Sequence, residues 1–309
     1  MSYKDIVNKA AIETGSLSHG LLNPEQARKF IQQTFEATTL GGLIRHEMRT
    51  AKTGEIDKIG IASRIVRKKT EGVDDGYRAG VNTSNVEYAT TPIRLPWEIT
   101  EETLRENIEG QSFEEIVTNL MTTQLGIDLE DLYLNGDTET LASDPDYDFL
   151  KINDGWRKQI NALGHVYDIT SIDSGALKID TFYTALQKIP NKYNNGKLRW
   201  LMSPKRAQQW ELYLLNKVLN NGGAVPQSVY NSPVSIPVVS CPAMSDTEII
   251  LTDPKNLIVV NTYDVKVRKT VEGKEAIMQD KRFYVCHLDY DPIIEEPDAT
   301  CIIKGIAAL

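Results

Sequence analysis

Residues Ile93–Asp137 read IRLPWEITEETLRENIEGQSFEEIVTNLMTTQLGIDLEDLYLNGD, and this stretch carries the clearest fold signal in the chain. Its first part alternates apolar with polar residues, which is the period of a strand that buries one face. The apolar members of the alternation are Ile93, Leu95, Trp97 and Ile99. Pro92 and Pro96 have no backbone N–H to donate to a neighbouring strand, so we expect an edge strand here.

The second part of the stretch changes to a helical period. Apolar residues recur there at three- and four-residue spacing and predict a helix from about Phe113 to Leu134, with Ser112 as N-cap and a stop at Asn135-Gly136. The apolar stripe comprises Phe113, Ile116, Val117, Leu120, Met121, Leu125, Leu129 and Leu132. At 1.5 Å per residue the helix would be about 33 Å long, enough to span a domain. It carries no catalytic motif, so we interpret it as a structural spine.

The composition is that of a folded protein with an acidic surface. The 309 residues are 41% hydrophobic and 25% charged, which allows a large core in two subdomains or one elaborated domain. The net charge of −9 argues against a protein that grips nucleic acid through a basic surface. No apolar run reaches the roughly 20 residues of a membrane span, and the polar N-terminus does not resemble a secretory signal. Three scattered cysteines favour a reducing compartment over a disulfide framework.

A pair of strand-like segments precedes the edge strand. Ile56–Val66 places Ile59, Ile61 and Ile65 on one face of a strand, and a second strand-like pattern begins at Val86. Together they predict a long two-stranded ribbon without a core of its own, which is marginal in water unless something covers it. The ribbon is either a surface hairpin or an arm that lies on a neighbouring subunit.

The tip of this ribbon is a polar run with both signs of charge. Residues 67–76 read RKKTEGVDDG and can add little to a hydrophobic core. Their charges can instead pair with opposite charges on a neighbouring copy. The candidate inter-subunit contact residues are Arg67, Lys68, Lys69, Glu71, Asp74, Asp75 and Arg78.

The rest of the chain mixes helices and strands without an internal repeat. Asn23-Pro24-Glu25 has the N-cap, proline and acid that typically start a helix. Further helices are predicted at Trp156–Leu163, after an N-cap at Asp180, and after Ser203-Pro204. Strands are predicted at Leu198–Met202, Ser235–Ser240, Glu248–Leu251, Asn256–Asn261, Val265–Val271, Arg282–Tyr290 and Thr300–Ile306, with a turn at Glu272-Gly273. This irregular order favours the α+β class.

A search for catalytic chemistry finds no complete motif. There is no Gly-rich phosphate loop, no His-Glu-x-x-His, no Gly-x-Ser-x-Gly and no dinucleotide fingerprint, and the four histidines are scattered. Cys286 and His287 are neighbours in a predicted strand, so their side chains point to opposite faces and cannot act together. No catalytic, cofactor-binding or metal-binding residue is assigned, and we expect neither an enzyme nor a cofactor.

An acidic run, Asp144, Asp146 and Asp148, is the best candidate for binding a divalent cation. It resembles the start of a calcium loop, but Phe149 and Gly155 stand where that loop requires Gly and Glu. We therefore favour a solvated loop here, and a metal-dependent enzyme is kept only as a minor alternative.

The order of these features resembles the major capsid proteins of tailed bacteriophages, whose Johnson fold is shared with encapsulins. The resemblance covers nearly the whole chain and rests on layout and short motifs. The segments that carry it are Asn23–Ile31 (NPEQARKFI) for the N-terminal arm, Thr50–Thr100 for the extended loop, Glu130–Asp137 (EDLYLNGD) for the end of the spine helix, and Ser232–Val260, with Pro242 and Met244, for the end of the axial domain.

The resemblance implies an α+β phage capsid fold with five segments. They are an N-terminal arm at 1–49, an extended β-hairpin loop at 50–100, a peripheral domain with the long spine helix at 101–154, an axial domain at 155–262, and return strands of the peripheral domain at 263–309.

The implied function is structural. The chain would assemble as hexamers and pentamers into the icosahedral head shell that encloses the double-stranded DNA of a tailed phage. It would form in the host cytoplasm, become part of the virion and have no membrane partner. A portal protein is an expected partner, and so is a separate scaffolding protein, because nothing before Asn23 resembles a long scaffolding segment. An encapsulin-type compartment that encloses enzymes is the alternative on the same fold.

Some members of the resembled family cross-link a lysine of the extended loop to an asparagine of the peripheral domain, with the help of a glutamate. Lys58, Lys68 and Lys69 could supply the amine, but no asparagine follows Asn261 in this chain. We therefore expect a shell held together by non-covalent contacts.

Overall fold

The computed structural model of the protein describes residues 38–61, 64–68, 71, 72, 74, 76–102, 113–221, 232–263 and 265–307. In this part of the chain, strands form two five-stranded sheets and one two-stranded ribbon, and helices are interspersed among them. The predicted α+β composition is therefore confirmed. The predicted N-terminal helix at Asn23-Pro24-Glu25, the N-cap at Ser112 and most of the expected arm lie outside the described residues.

The first sheet is built around one long strand, β11 (Lys281–Ile294). Its other strands are β1 (Arg45–Met48), β4 (Thr91–Thr100), β9 (Leu257–Asn261) and β10 (Lys266–Thr270). β4 and β10 pair antiparallel with β11, β9 pairs antiparallel with its last four residues, and β1 adds in parallel to β9. Among the described strands β4 pairs with β11 alone, which confirms the edge strand predicted from Pro92 and Pro96.

The second sheet lies between two hydrophobic cores. Its strands, in order, are β5 (His165–Asp168), β12 (Cys301–Lys304), β8 (Ile249–Thr252), β6 (Arg199–Met202) and β7 (Val238–Ser240). Ile250 in β8 packs into the first core, whereas its neighbours Ile249 and Leu251 pack into the second. Because both faces are covered, β8 is a continuous apolar run instead of an alternating one.

Six α-helices occur in the described part of the chain. They are α1 (Phe113–Asn135), α2 (Tyr147–Leu150), α3 (Trp156–Leu163), α4 (Ile179–Lys188), α5 (Pro204–Asn221) and α6 (Lys274–Gln279). α1 and α3 match the predicted helices closely. α4 begins two residues earlier than predicted, with Lys178 instead of Asp180 as its N-cap, so Asp180 lies in the first turn. α6 replaces part of a predicted loop, because a six-residue helix is too short to show a period.

The first core holds α1 against the first sheet. Trp97 of β4 is only 7% exposed and stacks on Tyr284 of β11 with ring centroids 5.3 Å apart. From α1 the core takes Val117, Leu125, Leu129 and Leu132. Two other members of the predicted stripe are exposed, Ile116 and Leu120, and the exposed fraction of Leu120 is 65%. The predicted stripe was too wide, because this helix carries apolar residues on its solvent side as well as on its buried side.

The second core is centred on three aromatic residues. Phe182 of α4 packs edge-on against Trp200 of β6 and Trp210 of α5, with centroid separations of 4.9 and 4.8 Å. Trp210 and Leu214 lie on the buried face predicted for α5, whereas Leu215 from the same predicted stripe is exposed. These contacts bring α4, α5 and the second sheet into one packed unit.

We expect Trp97→Ala and Leu120→Ala to differ sharply in stability, although both residues belong to apolar patterns. Trp97→Ala removes a buried, stacked indole and should lower the free energy of unfolding by about 3–5 kcal/mol. Leu120→Ala should change it by less than about 0.5 kcal/mol, because the side chain is already in water. Urea titrations followed by circular dichroism measure both values. Equal losses would show that α1 is rotated from the orientation described above.

Candidate assembly interface

The ribbon consists of two antiparallel strands and the loop that joins them. The strands are β2 (Thr53–Gly60) and β3 (Asn82–Ala89), with Ile56 opposite Val86, and we call residues 61–81 the tip. The strand predicted to reach Val66 therefore ends at Gly60. As a result, Ile61 and Ile65 belong to the tip and do not continue one face of β2.

The inner face of the ribbon packs on the first sheet of its own chain. Ile56 and Tyr88 are buried and, with Val86, form a small cluster with residues of β9 and β11. The residues they cover are Ile258, Val260 and Ile293. The expectation that the ribbon has no core within one chain is thus wrong for its base, because β9 and β11 offer it an apolar surface.

A lysine on the inner face of the ribbon also attaches it to the segment that follows β11. Lys58 Nζ donates to the main-chain oxygen of Glu295 and to Glu296 Oε1, the latter at 3.0 Å. Asn256 is next to this pair, but its carboxamide donates to Glu296 O at 3.0 Å and accepts from Glu296 N at 2.8 Å. Both ends of the amide are therefore used to hold the main chain in place.

Two buried aspartates of β11 hold the junction between the ribbon and β4. The carboxylate of Asp289, which is fully buried, accepts hydrogen bonds from Thr262 N at 2.9 Å and from the Thr90 hydroxyl at 3.0 Å. Asp291 accepts from Ala89 N at 2.7 Å and from Asn153 at 2.9 Å. Burial raises the pKa of Asp291, and these hydrogen bonds oppose that rise. These hydrogen bonds set the direction in which the ribbon extends from the first sheet.

The tip contains its own short-range contacts. The Arg67 guanidinium lies over the Tyr77 ring, 3.7 Å from its centroid. Arg78 forms a bidentate ion pair with Asp74, with N–O distances of 2.7 and 3.1 Å. The Asp74 carboxylate also accepts a hydrogen bond from Gly76 N at 3.0 Å. The hydrogen bonds from Arg78 lower the pKa of the Asp74 carboxyl below its usual value. Asp74 and Arg78 therefore form an ion pair with each other within the tip, although the sequence suggested each as a contact to a second chain.

The remaining predicted contact residues are not brought together into one site. Lys68 and Glu71 are exposed at separate points of the tip, and Lys69 and Asp75 lie outside the described residues. Tyr77 was missed by the sequence analysis. The available signal was a single aromatic residue in an otherwise polar run, where an arginine can stack on it.

Several apolar residues in the outer half of the ribbon are exposed. Val66 is 90% exposed and Ile59 is 74% exposed, and Ile61 and Val81 are also largely in solvent. The sequence predicted that Ile59, Ile61 and Ile65 share a buried face, but all three are exposed. The buried Ile56 lies on the opposite face of β2. Several exposed apolar side chains on one short ribbon favour a surface that a partner covers.

The acidic run does not form a metal site in the described structure. Asp144 accepts from Asp146 N at 2.9 Å, and Asp148 pairs with Lys151 at 2.7 Å, so these carboxylates organise a turn. Within the residues that the structure describes, no group of three or more potential ligands is close enough to hold a metal ion. None of the described helices is long and apolar enough to cross a membrane.

The chain is similar to a prophage capsid protein in sequence and to several capsid structures in fold. No family model matches the chain. A curated relative, the putative prophage capsid protein YqbE of Bacillus subtilis (strain 168), is 28% identical over 323 residues, covering 99% of each chain. Among solved structures, the satellite phage P4 procapsid with its size determination protein matches with a TM-score of 0.64 at 16% identity, over 91% of this chain and 99% of the other. The capsid of an empty GTA particle matches at 0.60 and 11% identity, over 96% of each chain.

The resemblance to phage capsid proteins stated from the sequence is confirmed by these matches. The chain has the mixed α+β fold of phage major capsid proteins, as predicted.

We expect Asp289→Ala to loosen the base of the ribbon. The substitution leaves the partly buried Thr262 N–H and the buried Thr90 hydroxyl without their acceptor, so the free energy of unfolding should fall by about 3 kcal/mol. Amide hydrogen exchange at Thr262 should speed up in parallel. Asp57→Ala, at an exposed position of the same ribbon, is the matched control and should change stability by less than about 0.5 kcal/mol. Indistinguishable unfolding curves for the two variants would contradict the role assigned to Asp289.

Proposed function

We propose that this protein is the major capsid protein of a tailed phage, which assembles as hexamers and pentamers into an icosahedral shell around double-stranded DNA. The observation that carries the proposal is the outer half of the ribbon, where Ile59, Ile61 and Val66 stand in solvent on a chain with a capsid-protein fold. A monomer gains nothing from exposing these side chains, whereas a shell can cover them with the next subunit.

The charge balance supports the enclosure of DNA. The chain carries a net charge of −9, and a shell wall that attracted phosphates would retain the genome on its inner surface during filling. A portal protein and a separate scaffolding protein belong to this proposal as partners. Assembly would take place in the host cytoplasm, and the product would be part of the virion.

A catalytic function is not proposed. The carboxylates that could have held a metal, Asp144 and Asp148, instead accept hydrogen bonds that shape a turn. The buried cysteine next to His287 is directed to the other face of β11, and burial raises the pKa of the Cys286 thiol to about 12, which keeps it protonated.

The purified full-length protein should form closed shells of uniform size. Light scattering should detect particles far larger than one chain, and negative-stain electron micrographs should show round or polyhedral outlines. A folded protein that stays monomeric, with a normal circular dichroism spectrum, would contradict the proposal. The contents separate the two shell functions: DNA-filled or empty heads support a phage capsid, whereas a co-purified enzyme inside the particles identifies an encapsulin-type compartment.

Mature particles boiled in detergent should run on a gel as single chains of 34.7 kDa. Of the three candidate lysines, Lys58 is paired with Glu296. The nearby Asn256 amide is hydrogen-bonded at both ends, and residues 263–309 contain no asparagine. A ladder of multimers would contradict a non-covalent shell. Mass spectrometry of that ladder would then identify the residues that are joined.

A further inference from the structure

The outer face of the ribbon ladder is acidic. Glu55, Asp57 and Glu87 are exposed there, and we call these three residues the acidic face. Glu55 stands directly opposite Glu87 in the ladder. Two like charges in such a cross-strand pair are destabilising unless a cation lies between them. The lysine of this ladder, Lys58, points inward to Glu296 and does not supply that cation.

The acidic face has no ion-pair partner among the residues that the structure describes. In the described residues, no lysine or arginine lies within 4.0 Å of Glu55, Asp57 or Glu87, and the neighbour of Glu55 is the neutral amide of Asn85. By contrast, acids in the loop between α1 and α3 have a cationic partner. Lys158 of α3 pairs with Asp137 at 2.8 Å and with Asp154 at 3.0 Å.

The complementary charge is carried by the tip of the same ribbon. Residues 64–69 read RIVRKK and contain four cations in six residues, which we call the basic segment. Arg64 and Lys68 are exposed and form no ion pair with any residue in the described part of the chain. Between them Val66 is 90% exposed, and the acidic face has a matching apolar side chain in Ile59.

We infer that the basic segment of one subunit binds the acidic face of the ribbon of a second copy of this chain. The inference rests on the proposed shell function and specifies which two surfaces meet. Arg64 and Lys68 neutralise Asp57 and the Glu55–Glu87 pair, while Val66 covers Ile59. Each subunit gives one surface and receives the other, so the contact is head-to-tail and can close into a ring.

A charge-swap experiment on the full-length protein tests this contact. The base reversal is Arg64→Glu with Lys68→Glu, the acid reversal is Asp57→Lys with Glu87→Lys, and a third variant combines all four changes. Asp146→Lys with Glu275→Lys is the matched control, since both acids are exposed and lie outside the ribbon. Thermal unfolding establishes that each variant is folded, and the yield of sedimenting shells is compared with that of the unmodified protein.

Each reversal alone should lower the shell yield at least about tenfold, because like charges then face each other across the contact. The combined variant should recover most of the lost yield, and the control should assemble normally. Failure of the combined variant to recover, normal assembly of both single reversals, or an equal loss in the control would each overturn the inference. A base reversal that forms shells but packages less DNA would also overturn the inference, because the basic segment would then bind nucleic acid. If the unmodified protein forms no shells at all, the proposed function fails instead.

Discussion

The strand β11 is the constraint on which the rest of the structure depends. Over fourteen residues it pairs with three other strands, and its side chains enter the first core along most of that length. Near its start, the buried Arg282 forms ion pairs with Glu101 at 2.8 Å and with Glu114 at 2.9 Å, which ties the first turn of α1 to the sheet. Near its end, Asp289 and Asp291 hold the base of the ribbon. One strand thus positions the long helix α1, the edge strand β4 and the ribbon.

The two faces of the ribbon differ in how far they are covered. Its inner face is satisfied within the chain by the small cluster around Ile56 and by the pairing of Lys58 with Glu296. Its outer face and tip keep exposed apolar residues, and Arg64, Lys68 and the acidic face have no ion-pair partner in the described part of the chain. In the proposed shell, this division would let one segment be anchored firmly enough to have a defined direction and still offer surface to another subunit. A hairpin that was free on both faces would lose more conformational entropy on binding.

Several parts of the fold could be predicted from the residues because they depend on local chemistry. The edge position of β4 follows from prolines that cannot donate, and α1 follows from apolar residues repeated over many turns. The tip was predicted as polar for the same reason, since its charged and glycine-rich run cannot form a core. Less could be predicted of the candidate interface. The residues singled out there include Asp74 and Arg78, which bind each other, while the exposed Val66 and the acidic face of the ladder were not recognised.

The sequence by itself determined the class of fold, the long helix, the edge strand and the presence of a ribbon with a charged tip. Only the tertiary structure decided which apolar faces are covered. Leu120 and Leu125 belong to one predicted helical pattern, yet Leu120 is in solvent and Leu125 is buried. In β2 the face predicted to be buried, which includes Ile59, is exposed, whereas the opposite face with Ile56 is covered. The spacing of apolar residues in a sequence shows that a helix or strand has an apolar face, because the spacing follows from the geometry of that one element. Whether that face is buried depends on another element that packs against it, and this element comes from a distant part of the chain or from a second copy.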